Sequence, residues 1–172
     1  MGRLWGVRWR DLDLDGTELH IVQTLAAINY RPAITTPKTK RSRRLIYLDE
    51  GSVGVLRSHR AAQRVERLAA GPAWESQNDL VFCDELGGLL KPDWISRDFR
   101  AKIREVSVRD IRLHDLRHTY ATLALKGGVH PKVVSERLGH ATVGITLDLY
   151  SHVTPAIGRE AADVVASSIF GG

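Results

Sequence analysis

The spacing of apolar and polar positions changes character along the chain. Segment 18–24 is apolar at alternating positions and segment 44–48 is rich in residues that favour strands, so both are predicted to be β-strands. They bracket a stretch containing proline and threonine, and a short helix end is expected before them. Segment 80–83 is a short apolar run that we expect to be buried. The first third therefore predicts one small antiparallel sheet.

From Asp49 onward the apolar positions recur at helical spacing, until Gly71-Pro72 ends the first helix. Its apolar face is predicted to comprise Val53, Leu56, Val65 and Leu68, with Arg57, Arg60, Arg64 and Arg67 on another face. Further helices are expected over 92–105, 115–126, 131–138, 142–149 and 155–169, and Leu116, Tyr120 and Leu123 are expected to face inward. The predicted fold class is mainly α with a small three-stranded antiparallel β-sheet.

Composition narrows the class of protein. A chain of 172 residues without an internal repeat or linker predicts one domain. The net charge of +5 favours a polyanionic partner. Cys83 is the only cysteine, which excludes a disulfide framework and a cysteine zinc site and favours a small buried side chain. No apolar run reaches the roughly 18 residues that cross a bilayer, so we expect a cytoplasmic protein without membrane contact.

The segment from His114 to Thr119 carries the clearest chemical signal. Residues three apart on a helix share a face, so His114 and Arg117 can address the same ligand. Backbone N–H groups in a first helical turn and the positive end of the helix dipole also suit a phosphate. The segment therefore predicts an anion site.

Two further elements follow in order: Arg137-Leu138-Gly139-His140, and then Thr146 to His152 with Tyr150 ten positions after His140. Taken alone, His140 is equally well explained as a helix cap and Tyr150 better explained as a core residue. Together, the H-x-x-R, L-G-H and T-x-x-x-Y-S-H elements resemble the signature of the tyrosine recombinase, or phage integrase, family.

The resemblance implies the catalytic fold of that family and DNA recombination or integration by strand cleavage and rejoining. Tyr150 would be the nucleophile and would form a 3′-phosphotyrosine intermediate, which requires neither metal nor cofactor. Arg117 can hold two phosphate oxygens with its planar fork of donors. His114 and His140 would donate further hydrogen bonds or carry protons.

Residues 36–44 are similar to the family's hairpin, whose lysine protonates the leaving group. Lys38 is the preferred general acid and Lys40 the rival. The alternative is a solvated turn that only contacts DNA phosphates. The basic residues expected to bind double-stranded DNA are Lys38, Lys40, Arg41, Arg43 and Arg44.

The sequence departs from the family pattern at its start. Arg8 to Asp13 is similar to the segment before the family's first strand, which places the first catalytic arginine one residue before Met1. A second alignment, shortened by one helical turn, lets Arg3 replace it. We therefore expect residues 1–172 to be a catalytic domain lacking the N-terminal DNA-binding domain and the first turns of the catalytic domain, with impaired cleavage and weak DNA affinity.

Other functions remain open at the level of sequence. The impaired chain could act only as a DNA-binding module, since 115–138 resembles a helix-turn-helix around Gly127-Gly128. An inert integrase fragment and a topoisomerase relative are further alternatives. Segment 155–169 is apolar on one face, and in this family such a helix docks on a neighbouring protomer, so homo-oligomerisation on DNA and packing within the chain are equal expectations.

Overall fold

The computed structural model describes residues 5–28, 31–35, 43–106, 108–140, 142–153 and 166–170, without the side chains of 92, 93 and 149–153. The backbone divides into two compact units, residues 1–113 and 114–172. The first unit contains the strands and two helices, and the second is helical in its described part. The predicted class, mainly α with small antiparallel sheet structure, is confirmed.

The first unit contains the predicted three-stranded sheet. Its strands are β1 (Leu12–Asp13), β2 (Glu18–Ile21) and β5 (Arg44–Tyr47), antiparallel and in the order β1-β2-β5. The Asp13 carboxylate accepts a hydrogen bond from the Gly16 amide at 2.9 Å, which stabilises the turn between the first two strands. The strand predicted over 18–24 ends early, at Ile21.

A second, two-stranded sheet lies between these strands in sequence, where no strand was predicted. It pairs β3 (Thr24–Ile28) with β4 (Arg31–Thr35) in antiparallel register, Thr24 opposite Thr35. Pro32 lies within β4, and proline is tolerated in a strand that is not paired on both sides. Because proline is uncommon within strands, the sequence predicted only a connection between two strands here.

The core of the first unit forms around a 3₁₀ turn at Trp9–Asp11. The Val81 amide donates to the Val7 carbonyl at 2.9 Å, and Trp9 and Val81 are both buried. This confirms that segment 80–83 contains a buried run. The buried apolar cluster is completed by side chains from β2 and comprises Val7, Trp9, Leu19, Ile21 and Val81.

Helix α1 (Glu50–Ala70) begins where the sequence predicted, because the Asp49 carboxylate accepts from the Ser52 amide at 2.9 Å. Its predicted apolar face is wrong in the second half. Val65 is 67% exposed and Leu68 is 82% exposed, whereas Gln63 is buried. The Gln63 side chain is held inside by polar partners on the adjacent segment, so a polar residue occupies the buried face.

Gln63 connects α1 to both sides of the core. Its amide oxygen accepts from the Trp9 indole at 2.6 Å, and its amide nitrogen donates to the Leu80 carbonyl at 3.2 Å. The same nitrogen lies 3.0 Å from the Cys83 sulfur. Cys83 is partly rather than fully buried, and burial raises the pKa of its thiol. A buried amide with this many partners fixes the position of the helix.

The remaining helices follow the predicted bounds closely. Helix α2 (Pro92–Glu105) completes the first unit, and the second unit contains α3 (Asp115–Lys126), α4 (Pro131–Leu138) and α5 (Gly144–Val153). Helix α5 begins two residues later than predicted and extends past 149, so that it includes position 150. Residues 166–170 are helical, but the rest of the predicted helix 155–169 lies outside the described part.

The buried apolar cluster described in the second unit joins α3 to α4. Ala121 and Leu125 of α3 pack against Val134 of α4, and all three are about 1% exposed. Full burial of a leucine side chain contributes about 1.5–3 kcal/mol. The prediction that Leu116, Tyr120 and Leu123 face inward is wrong, because their exposed fractions are 43%, 38% and 64%. Helix α3 instead packs against α4 through the face that carries Ala121 and Leu125, where the small Ala121 side chain allows close approach.

Candidate active site

His114 and Arg117 lie at the start of α3. His114 is the residue that precedes the helix, and its carbonyl accepts from the Arg117 amide at 3.1 Å. The His114 side chain is exposed and that of Arg117 is partly buried. Asp115, in the same turn, complements the positive end of the helix dipole.

The end of α4 delivers His140 to the same place. Gly139 adopts a left-handed conformation (φ 64°, ψ 46°) that terminates the helix, and the His140 amide donates to the Ser135 carbonyl at 3.0 Å. A residue with a Cβ is disfavoured in this conformation, which explains the glycine of the L-G-H element. The backbone changes direction at Gly139, so that His140 does not continue the helical path of α4.

Three side chains then form a hydrogen-bonded chain across three helices. The Arg117 Nε donates to His140 Nε2 at 3.3 Å, and His140 Nδ1 lies 2.8 Å from the hydroxyl of Thr146 in α5. Thr146 is fully buried, whereas Arg117 and His140 are partly exposed. These hydrogen bonds therefore connect the buried Thr146 side chain to the partly exposed guanidinium of Arg117.

The electrostatics of this group favour neutral imidazoles. Burial lowers the pKa of His140, and the positive charge of Arg117 lowers it further. The pKa of His114 is also lowered, by burial and then by His118, whose ring meets the His114 ring edge-on at 5.0 Å. Neutral imidazoles beside a permanent cation can accept or donate a proton near neutral pH.

Tyr150 lies in α5, one helical turn after Thr146. Its side chain is outside the described part of the chain, so its distance to Arg117, His114 and His140 stays a prediction.

The basic segment 36–44 belongs to the first unit. Lys38, Lys40, Arg41 and the doubtful Arg3 lie outside the described residues. Arg43 is exposed immediately before β5, and Arg44 is the first residue of that strand, paired with Ile21. Two of the five expected DNA-binding residues are therefore described, both at the start of β5.

Sequence reasoning missed Thr146 as a partner of the site. The threonine was noted only as the first letter of T-x-x-x-Y, and nothing in its spacing indicates which side chain it meets. Its complete burial inside a short helix is the signal, and burial is visible only in the fold.

Neither a metal site nor a membrane helix is found in the described ranges. Within them, His, Cys, Asp and Glu side chains do not form a group of three that could hold a metal ion. The helices described there are also too short or too polar to cross a membrane.

Comparison with known proteins decides the family. The sequence matches the phage integrase family over residues 1–156. The chain belongs to the phage integrase family. This confirms the resemblance drawn from the three motif elements, all of which lie inside the matched range.

Two curated relatives of this integrase chain cover most of its length. It is 32% identical over 165 residues to a tyrosine recombinase XerC-like protein of Caldanaerobacter subterraneus subsp. tengcongensis, covering 90% of this chain and 42% of the relative. It is 28% identical over 162 residues to the ICEBs1 integrase of Bacillus subtilis, covering 94% and 44%. The chain thus spans less than half the length of these relatives.

A solved structure shares the integrase fold. The Tn1549 transposon integrase, solved in complex with a circular intermediate DNA, superposes with a TM-score of 0.73 at 18% identity, covering 96% of this chain and 54% of that one. At this identity the similarity establishes the fold, and the fold agrees with the one that the motifs implied.

Proposed function

We propose that this integrase chain cleaves and rejoins DNA strands through a 3′-phosphotyrosine intermediate on Tyr150, in site-specific recombination or integration. The observation that carries the proposal is the junction of Arg117 and His140, bonded at 3.3 Å, beside His114 in the first turn of α3. A guanidinium, two imidazoles and a helix start form a suitable site for one phosphate. The DNA bound by the Tn1549 integrase supports double-stranded DNA as the partner.

In the proposed reaction the Tyr150 oxygen attacks phosphorus as the bond from phosphorus to the 5′ oxygen breaks. The neutral His114 imidazole accepts the phenolic proton, and Lys38, or Lys40 as its rival, protonates the departing 5′ oxygen. Arg117 and His140 stabilise the charge that accumulates on the non-bridging oxygens. Attack by a 5′ hydroxyl then reverses these transfers and rejoins the strand.

Residues 1–172 would act as one catalytic domain, which the match to a single family over residues 1–156 supports. Lys38, Lys40, Arg41, Arg43 and Arg44 would contact the DNA backbone. The net charge of the chain, +5, supports such contacts, because cationic side chains release counterions from the DNA phosphates when they bind. We place the activity in the cytoplasm.

Covalent capture tests the reaction without knowledge of the target site. The full chain is incubated with a pool of nicked suicide duplexes of random sequence, and adducts that survive denaturation are isolated and sequenced. We expect a small yield of adduct with the wild type and none with Tyr150→Phe. Arg117→Lys should lower the yield by hundreds-fold, since loss of one stabilising donor costs on the order of 3 kcal/mol.

Tyr47→Phe is the matched control, because Tyr47 is a 61% exposed tyrosine in the other unit and should leave the yield unchanged. Salt-sensitive binding of the pool without any adduct would contradict the enzymatic proposal. That outcome would favour the DNA-binding module, which shares the basic surface but needs no nucleophile.

We also propose that the C-terminal segment docks on a second copy of the chain when DNA is bound. Its apolar spacing supports this, and so does the exposure of Ile169 (66%) and Phe170 (83%). Light scattering of the DNA complex should give a mass with more than one chain. A mass of one chain per duplex at saturating protein would contradict it.

A further inference from the structure

Thr146 is 0% exposed and is the most deeply buried polar residue in the described part of the second unit, where Ser135 (3%) is also buried. Buried hydroxyl groups are costly unless they are hydrogen-bonded, and this one lies 2.8 Å from His140 Nδ1. The contact joins α5 to the residue that follows α4. Burial and a short distance together distinguish it from a surface contact.

The two contacts of His140 determine where its proton resides. A guanidinium nitrogen can only donate, so the Arg117 bond requires a lone pair on Nε2. The lowered pKa keeps the ring neutral near pH 7, and a neutral imidazole carries a single N–H. That N–H must then be on Nδ1, where it donates to the Thr146 hydroxyl oxygen.

The proposed reaction needs the opposite arrangement. To donate to a phosphate oxygen, His140 must carry a proton on Nε2, and a neutral ring then presents a lone pair at Nδ1. A hydroxyl is both donor and acceptor, so Thr146 can satisfy Nδ1 in either state by rotating its O–H bond. The imidazole need not move when Nε2 takes a proton from solvent and Nδ1 releases one, while the Arg117 Nε–H transfers its hydrogen bond from His140 to the phosphate.

We propose that Thr146 is a positioning residue whose hydroxyl holds the His140 ring in both tautomers, the one that accepts from Arg117 and the one that donates to phosphate. The first half of this inference, the tautomer that accepts from Arg117, concerns the DNA-free protein alone. The second half, the tautomer that donates to phosphate, rests on the proposed function. Because Thr146 and Tyr150 belong to the same helix, the same hydrogen bond fixes the position of the α5 backbone relative to His140.

Nitrogen-15 NMR of the full chain, labelled at histidine and free of DNA, tests the first half. We expect wild-type His140 to be protonated at Nδ1 near pH 7, and Thr146→Ser to preserve this state. Thr146→Val has nearly the same shape without the hydroxyl, so the His140 Nδ1–H loses its acceptor and the ring signals should shift, while the Arg117 bond still requires the lone pair on Nε2. Wild-type protonation at Nε2, or a Val variant identical to the wild type, would overturn the inference.

The wild-type spectrum decides the first half even if the valine variant fails to fold. Thr119→Val is the matched control, because Thr119 also lies in the second unit but its hydroxyl donates to the Asp115 carbonyl at 3.0 Å. This variant should keep the wild-type His140 signals.

Adduct formation on the suicide duplexes tests the second half. Thr146→Val should reduce the rate roughly ten- to a hundredfold, as when the partner of a metal-bound histidine is removed, with DNA binding unchanged and recovery in Thr146→Ser. An unchanged rate in Thr146→Val would overturn the second half. If the wild type forms no adduct, the proposed function fails, whereas the NMR result still decides the tautomer.

Discussion

At the scale of single residues, His140 couples the chemistry of the site to its stability. Its ring is partly buried between Arg117 and the fully buried Thr146. Among the described residues, the groups whose positive charge lowers its pKa are Arg117, His118 and His114. Protonation of His140 therefore places a second positive charge beside an existing one, in a partly dehydrated position.

This arrangement predicts that acid destabilises the fold. The folded-state pKa of His140 lies below the unfolded value of about 6.5, so its contribution is fully present above pH 6.5. The contribution is lost as the pH falls through the lowered pKa. The free energy of unfolding, measured in urea between pH 8 and pH 5, should decrease more steeply for the wild type than for His140→Gln.

Thr119→Val serves as the control for a substitution in the second unit, because the Thr119 hydroxyl donates to the Asp115 carbonyl and no titratable group is lost. It should leave the slope against pH intact. An identical slope for His140→Gln and wild type would show that protonation of His140 does not oppose folding.

At the scale of elements, helix ends were predictable from sequence because their causes are local. Asp49 caps the first helix, Pro92 and Pro131 begin two others, and Gly139 ends one. Each of these residues acts through its own backbone or a neighbour within three positions. Helix bounds at these points therefore agree with the structure within about two residues.

Helix faces were less predictable, because they depend on what packs against them. Gln63 is buried since its amide pairs with distant groups at Trp9 and Leu80, which no helical period can encode. The β3–β4 hairpin was missed for a related reason. Pro32 argues against a strand unless that strand is known to lie at the edge of a sheet.

The left-handed end of α4 gives a prediction at this scale. Gly139→Ala should lower the free energy of unfolding by about 1–2 kcal/mol, because a Cβ is disfavoured at φ 64°. It should also reduce adduct formation, since Gly139 sets the direction in which His140 leaves the helix. Chemical denaturation and the suicide duplexes measure the two effects.

Gly128 is the matched comparison, with φ 80° and no atom near its missing Cβ. Gly128→Ala should show a similar loss of stability without the loss of adduct. Equal losses of adduct in the two variants would mean that the effect comes from stability alone.

At the scale of the whole molecule, the order of the motifs was more informative than any one of them. His114, Arg117 and His140 were assigned to one site from their order in the sequence, and the second unit brings Arg117 and His140 into contact beside His114. Thr146 could not be assigned, because the core that surrounds it is assembled from three helices. The hairpin residues Lys38 and Lys40 belong to the other unit, and their roles stay predictions.

The Cys83 thiol, in contact with Gln63, offers a position for fluorescent labelling. A raised pKa keeps the thiol protonated at neutral pH, and thiolates are the species that react with maleimide dyes. Since the chain has a single cysteine, a dye would attach at one position only, beside Gln63 of α1. The unmodified protein thus carries a single attachment point for a probe in its first unit.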